Sequence, residues 1–86
     1  MPISGSLKAL ARRHAAEIAY GDVPPAVGAR AMWTDVFHHL QAGDHSVDQF
    51  VYWADAIEEA DNEQRMVRCQ VAIIGLAREY LQNNPE

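Results

Sequence analysis

Residues 62–82, NEQRMVRCQVAIIGLAREYLQ, decide the fold. At about 100° per residue, Met66, Val67, Cys69, Ile73, Ile74, Leu76, Ala77, Tyr80 and Leu81 cover nearly half the circumference of a helix. A helix with so wide an apolar arc is stable in water only when that arc is covered. The stretch therefore predicts a helix over about 62–82 at the centre of a bundle. Asp61 or Asn62 is placed to cap its start, and Asn83-Asn84-Pro85 ends it.

Working outward from this helix, Ser46-Val47-Asp48-Gln49 has the form of a capping box and predicts a helix over 47–60. Val47, Phe50, Val51, Ala54 and Ile57 would face inward. A continuous helix through Asp61-Asn62 is the alternative, giving three helices instead of four. Before it, Pro25 is a good first helical residue and Gly43 a stop, which predicts 25–42 with Ala29, Trp33, Val36, Phe37 and Leu40 inward and Met32 at the edge. The first helix spans about 6–20: Ser4 or Ser6 caps it, Gly21 terminates it, and Leu7, Leu10, Ala11, Ala15 and Ile18 share its apolar face. There is no alternating strand pattern and no hairpin dipeptide. The expectation is an all-α, compact bundle of four short helices in a single domain, 1–86, with consecutive helices antiparallel because their connections are short.

Composition agrees with a folded chain: 49% hydrophobic and 22% charged over 86 residues is globular rather than disordered. A domain this small buries about 60–65% of its unfolded surface, which leaves little room for an enclosed active site. One cysteine excludes an internal disulfide and suits a reducing, cytoplasmic setting. No apolar run approaches membrane-spanning length and the N-terminus has no signal-peptide pattern.

Charge order is the main functional clue. Twelve acids and seven bases give −5, yet residues 44–63 alone carry −7 with no lysine or arginine, leaving +2 for the rest. Asp48, Asp55 and Glu59 fall within about 40° of one another on a helical wheel, with Tyr52 beside them. Asp48, Asp61 and Glu63 lie in first turns, where carboxylates favour the helix dipole. Asp55, Glu58 and Glu59 lie in the middle or C-terminal half of their helix, where they gain nothing from it. A stripe that is mildly unfavourable for folding and flanked by aromatics has the character of a docking face for a basic protein. Asp48, Tyr52, Trp53, Asp55, Glu58 and Glu59 are the candidate partner-binding residues; Trp53, at the border of the apolar stripe on the edge opposite the acids, is either core or interface, and a homodimer through that edge is the alternative use.

The other constellations carry less. His38, His39 and His45 lie near Asp35 and Asp44, but consecutive histidines diverge by about 100° on a helix, and only Asp35 with His39 has the spacing of a half-site; no metal and no cofactor is expected. His14 and Gln70 fall on apolar faces, and Gln70 needs a partner such as a helix end or His14. Cys69 has no base at a recognisable spacing and reads as a small buried side chain. Ala16 to Gly21 with Val27 faintly echoes a helix-turn-helix. Glu17, however, occupies the position where a small residue is needed, and the would-be reading helix offers only Arg30 to DNA.

In overall character, being small, acidic, helical and without a catalytic motif, the chain resembles phage-encoded anti-defence inhibitors such as anti-CRISPR proteins, and bacterial immunity proteins that neutralise nuclease toxins. The resemblance implies a non-enzymatic protein that presents carboxylates to a basic, nucleic-acid-handling target. A homo-oligomeric structural or regulatory module, and a DNA-binding protein, are the other expectations.

Overall fold

A computed structural model describes residues 3–85, with side chains from residue 7. It consists of α1 (Ile3–Ala19), α2 (Pro25–Asp35), a 3-10 turn (Phe37–His39), α3 (Asp48–Glu58) and α4 (Glu63–Asn83), and the described residues contain no strand. The expected all-α bundle of four helices is what forms. No helix among the described residues is long and apolar enough to cross a membrane.

The first helix begins at Ile3, so Ser4 and Ser6 lie within it and neither stands at its N-cap. Its end follows the expectation closely. Gly21 adopts φ +78°, Asp22 N–H donates to the Glu17 carbonyl at 2.9 Å, and Gly21 N–H donates to that of Ile18 at 3.2 Å. This is the paired bonding of a Schellman end, which requires a left-handed residue that glycine adopts without strain. Pro24 (φ −58°, ψ 143°) and Pro25 then set the entry to α2.

The second helix is shorter than the 25–42 expected, and the reason is local. Thr34-Asp35-Val36-Phe37-His38-His39 contains only weak helix formers, and the Thr34 hydroxyl donates to the Arg30 carbonyl at 3.0 Å, a bond that loosens a helix from within. Val36 departs to φ −115°, the chain tightens into the 3-10 turn, and Leu40 is extended. This rotates the apolar face. Met32 and Val36 are fully buried, while Trp33, expected at the centre of the stripe, is only half-buried.

The capping box at Ser46 does not form. Ser46 N–H donates to the Asp44 side chain at 3.0 Å, Val47 takes the cap position with no side-chain hydrogen bond, and α3 covers 48–58 rather than 47–60. The third and fourth helices are separate. Asn62 is extended (φ −152°, ψ 166°), and its side chain accepts the Arg65 N–H at 2.8 Å, a helix N-cap of the expected kind.

The core gathers Ala11, Ala15 and Ile18 of α1, Ala29 and Met32 of α2, Val36 and Val47, Phe50, Ala54 and Ile57 of α3, and Cys69, Ile73, Ala77 and Tyr80 of α4. Helices α2 and α4 each touch all three other α-helices across the bundle. The fourth helix is thus central along its C-terminal two thirds only. Met66 and Val67, expected inward, are exposed, as is every residue from Asp61 to Arg68.

Tyr80 sits edge-on against Phe50 with ring centroids 6.2 Å apart. Burial pushes its phenol above the ordinary value of 10.0, the Asp44 carboxylate adds to that shift, and Arg12 opposes it. A raised value in the folded state means that this contribution to stability is complete below about pH 10 and is lost as pH rises through the folded value. Urea unfolding between about pH 9 and pH 12 should therefore show an alkaline loss that is smaller in Tyr80→Phe; an equally steep loss in that variant would contradict the assignment.

Candidate functional site

The seven acids of residues 44–63 are sorted by what they touch. Asp44 accepts the Ser46 N–H, and its hydrogen bonds from Ser46, backbone first and then side chain, hold its carboxyl below the ordinary value. Asp48 lies 2.7 Å from His45 Nδ1. Glu58 accepts from Arg30 of α2 at 3.0 Å. Asp61 lies 3.6 Å from Arg65, one turn along. Among the described residues, only Asp55, Glu59 and Glu63 of the seven have neither a side-chain hydrogen bond nor an ion pair. Glu63 stands in the first turn of α4, where the dipole favours it. Asp55 and Glu59 have no structural role of this kind, and both are exposed.

Helical spacing puts Asp48, Tyr52, Asp55 and Glu59 on one outward face of α3. Tyr52 is 62% exposed. Its centroid lies 5.1 Å from that of Trp53, edge to face at 88°. Trp53 is half-buried and packs on the core, so it braces Tyr52 from behind rather than standing free. Beside this face runs a shallow groove of about 630 Å³, lined by Asp48, Val51 and Tyr52 of α3 and by Phe37 and His38 of the 3-10 turn with Leu40 just after it. Asp44 and His45 border it. The helix-breaking residues that shortened α2 thus help to line the groove. A second cleft of about 570 Å³ lies between Leu7, Leu40, Asp44 and Tyr80.

Glu58, another of the candidate partner-binding residues, is engaged within the chain. Its partner Arg30 lies 4.8 Å from the Trp33 ring centroid, and Trp33 stacks with His38 at 6.4 Å and 25°. The glutamate, the guanidinium and the two rings form a chain that ties α3 to α2 and the 3-10 turn. Both charges are about half exposed, which keeps the ion pair within about 0–1 kcal/mol. The same contacts occupy Arg30, the one cation that a helix-turn-helix reading would send to DNA.

The i, i+4 spacing of Asp35 and His39, that of a half-site or equally of a surface ion pair, is not realised on a helix, because α2 ends at Asp35. Asp35 instead meets His14 Nε2 at 3.1 Å, while Glu17 meets His14 Nδ1 at 3.3 Å. His14, thought to be a partner for Gln70, bridges two carboxylates and links α1 to α2. A doubly protonated ring donates to both, and a neutral one to only one. Among the described residues no three His, Cys, Asp or Glu side chains are grouped so as to hold a metal ion. Cys69 is buried, as expected.

Compared with protein-family models, with curated proteins and with solved structures, the chain shows no significant match to any.

Proposed function

We propose that the chain is a non-enzymatic binding protein whose α3 face, made of Asp48, Tyr52, Asp55 and Glu59, covers a basic surface of a partner protein. The supporting observation is the sorting of the acids: four of the seven are engaged within the chain, whereas Asp55 and Glu59 remain exposed beside a ring left in water. Exposed like charges one turn apart cost a few tenths of a kcal/mol, and an exposed tyrosine forgoes its burial energy. A partner supplying lysine or arginine to the carboxylates and a surface for the ring reverses both costs. In this reading the groove beside Asp48, lined also by Leu40 and Tyr52, would receive an extended basic side chain, its apolar stem along the groove and its charge toward the carboxylate. Charge on both sides would speed association and select the partner, and the ring would slow release. An inhibitor of a nucleic-acid-handling protein is the most specific form of this reading, with the carboxylates standing where phosphates bind.

The test compares capture of lysate proteins on immobilised wild-type chain, Asp55→Lys/Glu59→Lys, and Glu58→Gln. The double reversal should lose a captured protein that wild type retains at low salt and releases as salt rises. Glu58→Gln should retain it, because that carboxylate serves Arg30. Equal capture by wild type and the double reversal, with helicity unchanged by circular dichroism, would sink the proposal.

A further inference from the structure

The bundle leaves a second face of α4 uncovered. Ile73 and Ala77 on the inner side are wholly buried. On the side turned away from them lie Val67 and Val71, 48% and 63% exposed, and Ile74, half-buried at the edge of the core. Helical spacing aligns Glu63, Val67, Gln70, Val71, Ile74 and Arg78 in one strip about 100° wide. Its order has a property that a mere surplus of apolar residues lacks. Turned end for end about a point between Gln70 and Val71, the strip meets itself in register: Glu63 faces Arg78, Val67 faces Ile74, and Gln70 faces Val71. Neither Glu63 nor Arg78 has an ion-pair partner among the described residues.

We propose that this strip is the interface of a homodimer in which two copies of α4 pack antiparallel about a twofold axis beside Gln70. A twofold interface must be self-complementary, and this strip is so in charge and in apolar content at once. Each copy places an acid at the N-terminal end of the seam and a base at the C-terminal end, so antiparallel pairing brings opposite charges together at both ends. Parallel pairing would set Glu63 against Glu63 and Arg78 against Arg78. Gln70, half-buried and without a side-chain partner among the described residues, stands where two amides can bond reciprocally across the axis. Gly75 flanks the strip, and a Cβ there would meet nothing within 4 Å in the single chain, so it offers no obstacle to a second helix. The seam spans sixteen residues and is about 23 Å long. That is the low end of specific interfaces, so the expected association is weak, with a dissociation constant on the order of 10–100 µM. This inference does not rest on the α3 reading.

Sedimentation equilibrium of the full chain from about 5 µM to about 500 µM tests it. Wild type should pass from monomer to dimer, and Val71→Lys should stay monomeric with unchanged helicity. Glu63→Arg and Arg78→Glu should each weaken self-association at least about tenfold. Mixed with each other they should form a heterodimer tighter than either homodimer, and Glu63→Arg/Arg78→Glu in one chain should restore wild-type assembly. A wild-type monomer throughout the range overturns the proposal. So does a dimer indifferent to Val71→Lys, which would place the interface elsewhere. A dimer without charge-swap rescue overturns the antiparallel register. Capture of a basic partner by Val71→Lys separates a failure here from a failure of the α3 reading.

Discussion

Gly28→Ala is expected to destabilise the chain by about 1–3 kcal/mol, although alanine is the better helix former by about 1 kcal/mol. Gly28 lies inside α2 where that helix crosses α1. A Cβ built on it would stand 2.2 Å from Ile18 Cγ1 and 2.8 Å from its Cδ1, with Val23 Cγ2 at 3.2 Å. Ile18 is 2% exposed and lies in the core cluster, with little room to swing aside, so relief has to come from moving one helix off the other. Interiors are too closely packed to absorb such a shift without loss. Gly75→Ala, in the middle of α4, meets nothing within 4 Å and is expected to stabilise by about 0.5–1 kcal/mol through the same propensity term. For a domain of this size each kcal/mol moves the melting midpoint by about 4–8 °C. Thermal unfolding of the two variants, at a concentration that keeps the chain monomeric, should move in opposite directions. A stabilised Gly28→Ala would show that the helices do not approach as closely there as described.

Ile73→Ala should cost about 2–5 kcal/mol, the loss of a buried side chain plus the cavity left behind. Ile73 has no exposed surface and belongs to the core cluster. A chain with a total stability near the lower end of about 5–15 kcal/mol would then be close to unfolding at ordinary temperature. Val71→Ala, two positions away on the outer side, should change monomer stability by no more than about 0.5 kcal/mol. Urea midpoints of the two variants read out which face of α4 holds the bundle together; comparable losses in both would contradict the burial of one and the exposure of the other.

These two faces of α4 show where sequence reading reaches its limit. A periodic pattern marks which residues are apolar and how they are spaced, and an arc covering almost half a helix reads as one broad inward surface. Coverage is a property of the neighbours. Helix α3 ends at Glu58 and the chain turns through Asp61 and Asn62, and the first turns of α4 are left exposed. Met66 and Val67 belong to the same arc as Ile73 by periodicity and to the solvent by packing.

The acidic face was legible for a similar reason, and only in part. Asp48, Tyr52, Asp55 and Glu59 share one side of α3 by spacing alone, and the structure leaves them there. Glu58 could be assigned only with Arg30 in view, 28 positions earlier in the chain; no local pattern announces a pair formed across two helices. The same holds for His14 and Asp35, 21 positions apart. The early end of α2 did have a local signal, the run of weak helix formers from Thr34 to His39, outweighed in the reading by Pro25 and Gly43 as bounds.

The sequence by itself determined that this is an all-helical chain of four segments, where Gly21 and Asn62 punctuate it, and that its negative charge is concentrated in residues 44–63. Those properties follow from backbone preference and helical spacing, which act over a few residues. Only the tertiary structure decided that Met32 rather than Trp33 fills the core, that Glu58 is consumed by Arg30, and that Val67 and Val71 face outward. Each of these depends on which side chains from distant segments compete for the same volume or the same charge, and that is settled only when the helices pack.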